Sequence, residues 1–381
     1  MKDIIPYATL LGCLIVIALG AALLSPSAAP AIQNPTVAQS ATTSAPVATT
    51  TVEKKPQTQT SAALTKTADA HPAAAASSTP SAADNQAFRV VNPYPFPPTS
   101  FDTINTDARG ALVNIFCVQV GGALNASISG SGVIIDPRGV ILTNAHVAQY
   151  ILLSDITGLN MSCAIRTGSP ARESWKAHVF YMPQAWVDVH AKEILEQKPL
   201  GTGENDYALL VIDGSAGSPL PMQFPFMHFE TREAVAFTDD AVLVAAYPAG
   251  FLGGFEAARD LASISTVTTI KDLYTFSDAS NIDVFSLGGI ILAQGGSSGG
   301  AVVNQWDRLV GLIVTASSGE TTSARDLRAL SLAYIERSLR ATIGVGLSGF
   351  LTGDISAKEI DFATNKEPQI LEQFLRVIPR I

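Results

Sequence analysis

The sequence predicts an all-β domain, and the pattern of apolar runs is the main reason. From about residue 98, short β-branched runs such as "ALVNIFCVQV" and "DYALLVID" alternate with Gly, Pro, Asn and Asp. The runs fall into two groups of about six, the first over residues 98–215 and the second over residues 235–345. Two such groups are expected to form two barrels or sandwiches. The 47% of hydrophobic residues can supply a sizeable core.

A few helical segments interrupt the strand pattern. One is expected near residues 183–198 ("PQAWVDVHAKEILEQK") and another near "YIERSLRATI". In the C-terminal tail, residues 351–381, one predicted helical face carries Ile370, Leu371, Phe374, Leu375 and Ile378. We expect this face to pack back on the domain, although it would also suit a partner-docking helix.

The first 97 residues predict an export segment followed by a tether. After a cytoplasmic stub at residues 1–3, residues 4–24 carry no charge and are long enough to span a hydrocarbon core of about 30 Å. A transmembrane anchor is favoured over a cleaved signal peptide, although "SPSAA" offers a cleavage site. Residues 25–97 are rich in Ala, Thr, Ser and Pro, which predicts a disordered linker. The domain is therefore expected outside the cytoplasm, either membrane-anchored by one span or secreted.

Charge and residue spacing exclude several classes of partner. The net charge is −9 and the pI is near 5.0, and no cluster of Lys and Arg indicates a nucleic-acid surface. The five histidines and three cysteines show neither CxxC nor HExxH spacing. The sequence therefore predicts no metal, no cofactor and no nucleic-acid partner.

Three polar residues beside strand-like runs suggest catalysis by a serine. His146 follows a strand in the polar turn of "ILTNAHVAQY", Asp206 precedes the apolar run of "DYALLVI", and Ser298 lies within "AQGGSSGGAVV". Each alone would usually be structural. Acyl transfer by serine needs a base, a carboxylate that orients the base, and N–H donors for the oxyanion. The order His, Asp, Ser along the chain is one known solution.

These segments resemble a known family. "TNAHV", "NDYALLVI" and "GGSSGGAVV" look like the three motifs of the chymotrypsin superfamily and are especially similar to those of the bacterial high-temperature-requirement (HtrA/Deg) peptidases. "SGSGVIIDPRGVILTNAHV" and "VAAYPAG" extend the resemblance, which covers residues 98–350. It implies a chymotrypsin-like double β-barrel, and a serine endopeptidase acting on misfolded or envelope proteins. Homo-oligomers are common in the family, and the tail is too short for the PDZ domain that many members carry.

The resemblance also implies a role for each site residue. His146 would be the general base, Asp206 its orienting partner and Ser298 the nucleophile, with the amides of Gly296 and Ser298 forming the oxyanion hole. Ser298 is preferred to Ser297 because it directly precedes the Gly-Gly pair. The same alignment assigns the substrate (P1) pocket, in which the absence of an acidic residue favours a small or medium apolar side chain; the pocket residues are Leu292, Val314, Thr315 and Ala316.

Cys117 and Cys163 are expected to pair. Both lie in strand-like runs of the first group, and the predicted compartment is oxidising. Two buried free thiols are the alternative.

Three other interpretations compete with a chymotrypsin-like peptidase. GxSxG at residues 296–300 also fits an α/β-hydrolase elbow, but that fold needs a histidine after the serine and none follows His228. A subtilisin-like order would need Asp136 first, but the expected βαβ alternation is missing. A non-catalytic, protease-like binding or scaffold domain stays open.

Overall fold

The computed structural model describes residues 81–82, 92–119, 121, 127–196, 201–277 and 281–378. The predicted anchor at residues 4–24 and most of the predicted linker lie outside these residues. Within them, every helix is too short or too polar to cross a lipid bilayer.

Strands dominate the domain, as the alternating pattern predicts. In chain order they are β1 (Ser81–Ala82), β2 (Leu112–Gln119), β3 (Ser127–Asp136), β4 (Val140–Thr143), β5 (Met161–Thr167), β6 (Arg172–Tyr181), β7 (Ala208–Ser215), β8 (Ala241–Ala246), β9 (Ile264–Thr269), β10 (Leu273–Thr275), β11 (Val284–Gly288), β12 (Ala301–Asn304), β13 (Leu309–Ala316) and β14 (Leu327–Ser331). The helices are α1 (Phe101–Ala111), α2 (Ala145–Ser154), α3 (Gln184–His190), α4 (Gly254–Arg259), α5 (Leu332–Ile343), α6 (Leu347–Phe350), α7 (Ile355–Asn365) and α8 (Glu367–Val377).

The first group of strands forms a closed barrel in the order β2-β3-β4-β7-β6-β5. Neighbouring strands are antiparallel. The whole of β4, "VILT", is buried, and it pairs with β3 on one side and β7 on the other. The first of the two predicted barrels is therefore confirmed.

The second group forms one sheet in the order β1-β10-β11-β14-β13-β12-β8-β9. Its end strands, β1 and β9, do not pair with each other within the described residues. β9 reads "ISTVTT" and keeps most side chains partly exposed, as an edge strand does. The architecture fits a chymotrypsin-like double barrel in which the second barrel is open.

One strand falls inside the predicted disordered linker. β1 pairs antiparallel with β10, with Ser81 opposite Thr275 and Ala82 opposite Tyr274. These two residues lie within the predicted linker, residues 25–97. Composition alone missed the strand because two residues pair through their backbone and need no apolar run.

The helices agree in part with the sequence pattern. The segment near residues 183–198 contains α3 and a short 3-10 helix, Ala191–Leu195, and α5 covers "YIERSLRATI". Ile370 and Phe374 of α8 and Ile378 just after it are buried, whereas Leu375 stays 39% exposed, so the buried face is narrower than predicted. α1 was not predicted, although its buried residues Ile104, Ala108 and Ala111 recur at helical spacing; its N-cap is Ser100, whose side chain accepts from the amide of Thr103.

A disulfide bond joins two neighbouring strands of the first barrel. Cys117 of β2 lies directly opposite Cys163 of β5, and the two sulfurs are 2.01 Å apart. Cys117 is buried and Cys163 is partly buried. The bond therefore links neighbouring strands whose register already brings the two side chains together.

Candidate active site

His146 and Asp206 meet because they follow and precede paired strands. β4 and β7 are antiparallel, with Thr143 opposite Ala208. His146 comes three residues after Thr143, and Asp206 two residues before Ala208, so both emerge at one end of the barrel. His146 Nδ1 is 2.6 Å from Asp206 Oδ2, and the His146 amide donates to Asp206 Oδ1 at 2.9 Å.

Backbone bonds fix both residues further. Asn144 Nδ2 donates to the Asp206 carbonyl at 2.9 Å, and Gln149 Nε2 donates to the His146 carbonyl at 2.8 Å. Asn144 is the N-cap residue of α2, so His146 lies in the first helical turn and not in the polar turn that the sequence suggested. The helix holds the imidazole in one place relative to Asp206.

The pKa of His146 is raised above its ordinary value. Burial opposes protonation of the imidazole, but the charge and hydrogen bond of Asp206 outweigh that effect. Asp206 itself is buried, with 5% of its surface exposed. The pair therefore favours an imidazolium ion, which a general base becomes after it takes a proton.

Ser298 lies in the loop between β11 and β12. Two glycines in this loop have left-handed backbones, Gly296 with φ of +89° and Gly299 with φ of +84°. A Cβ atom on Gly299 would lie 2.0 Å from the Ser131 carbonyl oxygen, and one on Gly296 would lie 2.6 Å from that of Tyr247. Only glycine permits these close approaches, so the glycine run is required by packing.

The loop orients two amides in the same way. The Gly295 carbonyl accepts from the Ala249 amide at 2.7 Å, and the Ser297 carbonyl accepts from the Gly300 amide at 2.9 Å. In a trans peptide the N–H points away from the C=O. The N–H groups of Gly296 and Ser298 therefore point away from the carbonyls of Gly295 and Ser297 and from the amides that bind those carbonyls. Neither N–H group donates a hydrogen bond within the described residues. Such a pair of N–H groups can receive an oxyanion.

The two adjacent serines differ in access. Ser297 is 1% exposed and its hydroxyl has no hydrogen-bond partner within the described residues, whereas Ser298 is partly exposed. Within the same residues, no hydrogen bond joins Ser298 Oγ to His146 Nε2. The accessible hydroxyl therefore belongs to Ser298, but the hydrogen bond that would join it to His146 in a triad is not formed among the described residues.

The four residues assigned to the substrate pocket lie in different environments. Leu292 is fully buried in the core of the second sheet, and Val314 is 2% exposed and lies beside Gly203, on the loop that leads to Asp206. Thr315 is partly exposed and Ala316 is exposed. Of the four, Thr315 and Ala316 are therefore the ones that a bound peptide could touch directly.

One cluster with ligand-type side chains escaped the sequence reasoning. Among the described residues, His178, Asp213 and Glu359 bring donor atoms within 4.8 Å of one another, although no metal site was predicted. They come from β6, β7 and α7, so no spacing motif could reveal them. The cluster contains no triad residue.

Comparison with known proteins gives the class. Residues 130–312 match the trypsin-like peptidase domain family. No curated protein sequence matches the chain. Among solved structures 811 chains match. One is the serine endoprotease from Yersinia pestis, at 20% identity and a TM-score of 0.40, over 64% of this chain and 68% of that chain.

The matched segment runs from β3 into β13 and contains His146, Asp206 and Ser298. The chain therefore carries a trypsin-like peptidase domain. It is a serine endopeptidase of the trypsin-like class.

Proposed function

We propose that His146, Asp206 and Ser298 form the catalytic triad of this endopeptidase. Ser298 Oγ attacks the scissile carbonyl carbon while His146 Nε2 takes the hydroxyl proton. The tetrahedral intermediate then breaks its C–N bond, and His146 gives the proton to the leaving amine. In the second half, His146 takes a proton from water, the water oxygen attacks the Ser298 ester, and the acyl C–O bond breaks as His146 returns the proton to Ser298 Oγ, which releases the second product.

The double contact between His146 and Asp206 carries the proposal. The 2.6 Å contact to Oδ2 places the proton on Nδ1, which leaves Nε2 as the free acceptor, and the 2.9 Å bond from the His146 amide to Oδ1 prevents the carboxylate from rotating. A histidine with only a structural role needs neither feature. The outward amides of Gly296 and Ser298 supply the oxyanion hole in this proposal.

The open contact between Ser298 and His146 favours a second candidate, a binding or scaffold domain that does not turn over. Catalytic hydrogen bonds of free enzymes are often long and shorten only when substrate binds. For this reason we favour the active peptidase.

Turnover of fluorescein-labelled β-casein separates the two. We expect the wild type to cleave casein and Ser298→Ala to lose several orders of magnitude in kcat. Ser297→Ala is the matched control, because it removes the neighbouring, buried hydroxyl, and it should keep most of the activity. Equal cleavage by wild type and Ser298→Ala, or no cleavage and no fluorophosphonate labelling of the wild type under any condition, would favour the scaffold.

Substrate and location follow from the sequence resemblance. We propose an HtrA-type enzyme that cleaves misfolded or envelope proteins after small or medium apolar residues, and that residues 4–24 hold the domain at the outer side of a membrane. A homo-oligomer would agree with the same resemblance. Cleavage products of the membrane fraction, compared between cells with wild type and with Ser298→Ala, would test the substrate class. Carbonate extraction would test the anchor.

A further inference from the structure

Ser131 connects the first barrel to the loop that carries Ser298. It lies in β3, is fully buried, and uses every polar atom it has. Its amide donates to the Ser298 carbonyl at 2.7 Å, and its hydroxyl donates to the Gly296 carbonyl at 2.8 Å. The hydroxyl also accepts from the Tyr247 amide at 2.9 Å, and the Ser131 carbonyl accepts from Thr143 Oγ1 at 2.7 Å.

The donor assignments are forced by the partners. The Gly296 carbonyl can only accept and the Tyr247 amide can only donate, so the one hydroxyl proton of Ser131 must point at Gly296. Both functions of the hydroxyl are therefore used, and its orientation is fixed. Removing it would leave the Gly296 carbonyl and the Tyr247 amide without this partner.

The Gly296 carbonyl lies between the two peptides that the oxyanion hole needs. Those peptides, 295–296 and 297–298, are held through the carbonyls of Gly295 and Ser297. The peptide between them, 296–297, is held by the Ser131 hydroxyl. Because Gly296 has no side chain and a left-handed φ, its backbone can rotate at low steric cost unless hydrogen bonds oppose it. A rotation there would turn the Gly296 amide away from the oxyanion position.

The same hydroxyl also fixes the segment that holds Gly295. It accepts from Tyr247, two residues before Ala249, whose amide donates to the Gly295 carbonyl. Ser131 thus acts on the loop from two sides, directly at Gly296 and indirectly through residues 247–249.

From this network we propose that Ser131 is a positioning residue for the oxyanion hole, acting through the Gly296 carbonyl and the Tyr247 amide without touching the substrate. This inference rests on the proposed function. Its consequence is that the Ser131 hydroxyl affects transition-state stabilisation more than substrate binding, and leaves the His146–Asp206 base unchanged.

The test measures the rate of labelling by a fluorophosphonate–rhodamine probe, with kcat and KM for fluorescein-labelled casein. We expect Ser131→Ala to lower the labelling rate and kcat by roughly 10- to 100-fold, less than the loss of an entire oxyanion donor. KM and the pH at which the acid limb of kcat/KM falls should stay as in the wild type, because the base is intact. A general loss of structure would not leave that acid limb in place.

Ser174→Ala is the matched control. Ser174 is also a buried serine of the first barrel, with its hydroxyl bonded to Thr167 Oγ1 at 2.7 Å and to the Arg172 carbonyl at 3.1 Å. Its variant should label at the wild-type rate. If Ser131→Ala does not fold at 25 °C, Ser131→Cys replaces it, because the thiol fills the site but donates weakly, and the same loss is expected.

The outcomes separate the inference from the function beneath it. Labelling of folded Ser131→Ala or Ser131→Cys within twofold of the wild type overturns the positioning role, while Ser298→Ala still defines the triad. An equal loss in Ser174→Ala, or a shifted acid limb, also overturns it. Equal labelling of wild type and Ser298→Ala overturns both proposals.

Discussion

The two halves of the candidate site are held by different means. His146 and Asp206 stand at the ends of two paired strands of a closed barrel, and side-chain bonds of 2.6 and 2.9 Å join them directly. Ser298 stands in a glycine-rich loop of an open sheet, and its position depends on carbonyl bonds to Ser131 and Ala249. The base is thus built by regular structure, whereas the nucleophile is placed by hydrogen bonds from separate segments, among them Ser131 of the other barrel and Ile313 of β13. Changes in the two halves should produce different defects.

The largest effect is expected in the base half, from Asp206→Asn. The amide cannot stabilise the imidazolium and favours the wrong tautomer, so kcat should fall by about 10³- to 10⁴-fold. In the wild type, Asp206 raises the pKa of His146 against the effect of burial. The base must be neutral to act, so the acid limb of kcat/KM should lie above the ordinary histidine value of about 6.5. In Asp206→Asn the residual limb should move to lower pH. A limb that does not move would contradict the pairing.

The disulfide should make the closed barrel the more resistant half. Its loop spans 46 residues, which the chain-entropy model converts to about 4 kcal/mol in the free energy of unfolding. The double variant Cys117→Ala/Cys163→Ala should lose that amount in urea denaturation. Dithiothreitol should reduce the stability of the wild type similarly and leave the variant unaffected. A wild type insensitive to dithiothreitol would argue against the bond.

The nucleophile loop can be tested with two glycines of similar backbone. Gly299 has φ of +84° and a Cβ there would meet the Ser131 carbonyl, whereas Gly344 has φ of +78° with open space around it. Gly344→Ala should cost about 1–2 kcal/mol from backbone strain alone. Gly299→Ala should cost about 1–3 kcal/mol more through overpacking, together with most of the activity. Equal losses of stability in Gly299→Ala and Gly344→Ala would show that the loop around Ser298 is not packed against β3.

The smallest effect concerns the contact of α7 and α8 with the first barrel. Burial disfavours charge on His178, but Asp213, Asp155 and Glu359 outweigh it and raise its pKa. A raised pKa stabilises the fold below about pH 6.5, and this contribution is lost as the pH rises through the folded-state value. Burial also raises the pKa of the carboxyl groups of Asp155, Glu359 and Glu367, so their contribution to stability likewise falls as the pH rises.

His178→Gln should therefore be less stable than the wild type at pH 5.5, by at most about 1 kcal/mol because solvent screens the cluster, and should approach it at pH 8.5. Thermal unfolding at the two pH values measures this, and 1 M NaCl should reduce the difference. If His178→Gln lost more stability at pH 8.5 than at pH 5.5, the raised pKa of His178 would be contradicted.

The base half was the more predictable from sequence. Strand-like runs around His146 and Asp206 and the order of the three motifs indicated the barrel and the residues at its end. The helix after Asn144 was missed because Ala145–Ser154 is apolar on all sides and reads like strand sequence. α1, with its Asn, Thr and Gly, was missed because the helix depends on packing of Ile104, Ala108 and Ala111 and not on propensity.

The nucleophile half could be predicted only in outline. The glycines around Ser298 indicated a loop with exposed amides, but their partners lie far away in the chain: Ser131 is 165 residues from Gly296. The role of a hydroxyl at such a distance has no local signature. The same holds for the cluster of His178, Asp213 and Glu359, which β6, β7 and α7 bring together.

The most direct test of the account is the location of a covalent adduct. The protein is treated with diisopropyl fluorophosphate, digested, and the modified residue is identified by tandem mass spectrometry. We predict a single adduct, on Ser298, and none when the protein is denatured before treatment. In Asp206→Asn the rate of adduct formation should fall in proportion to kcat. An adduct on Ser297, or one whose rate does not depend on Asp206, would contradict the arrangement proposed for this site.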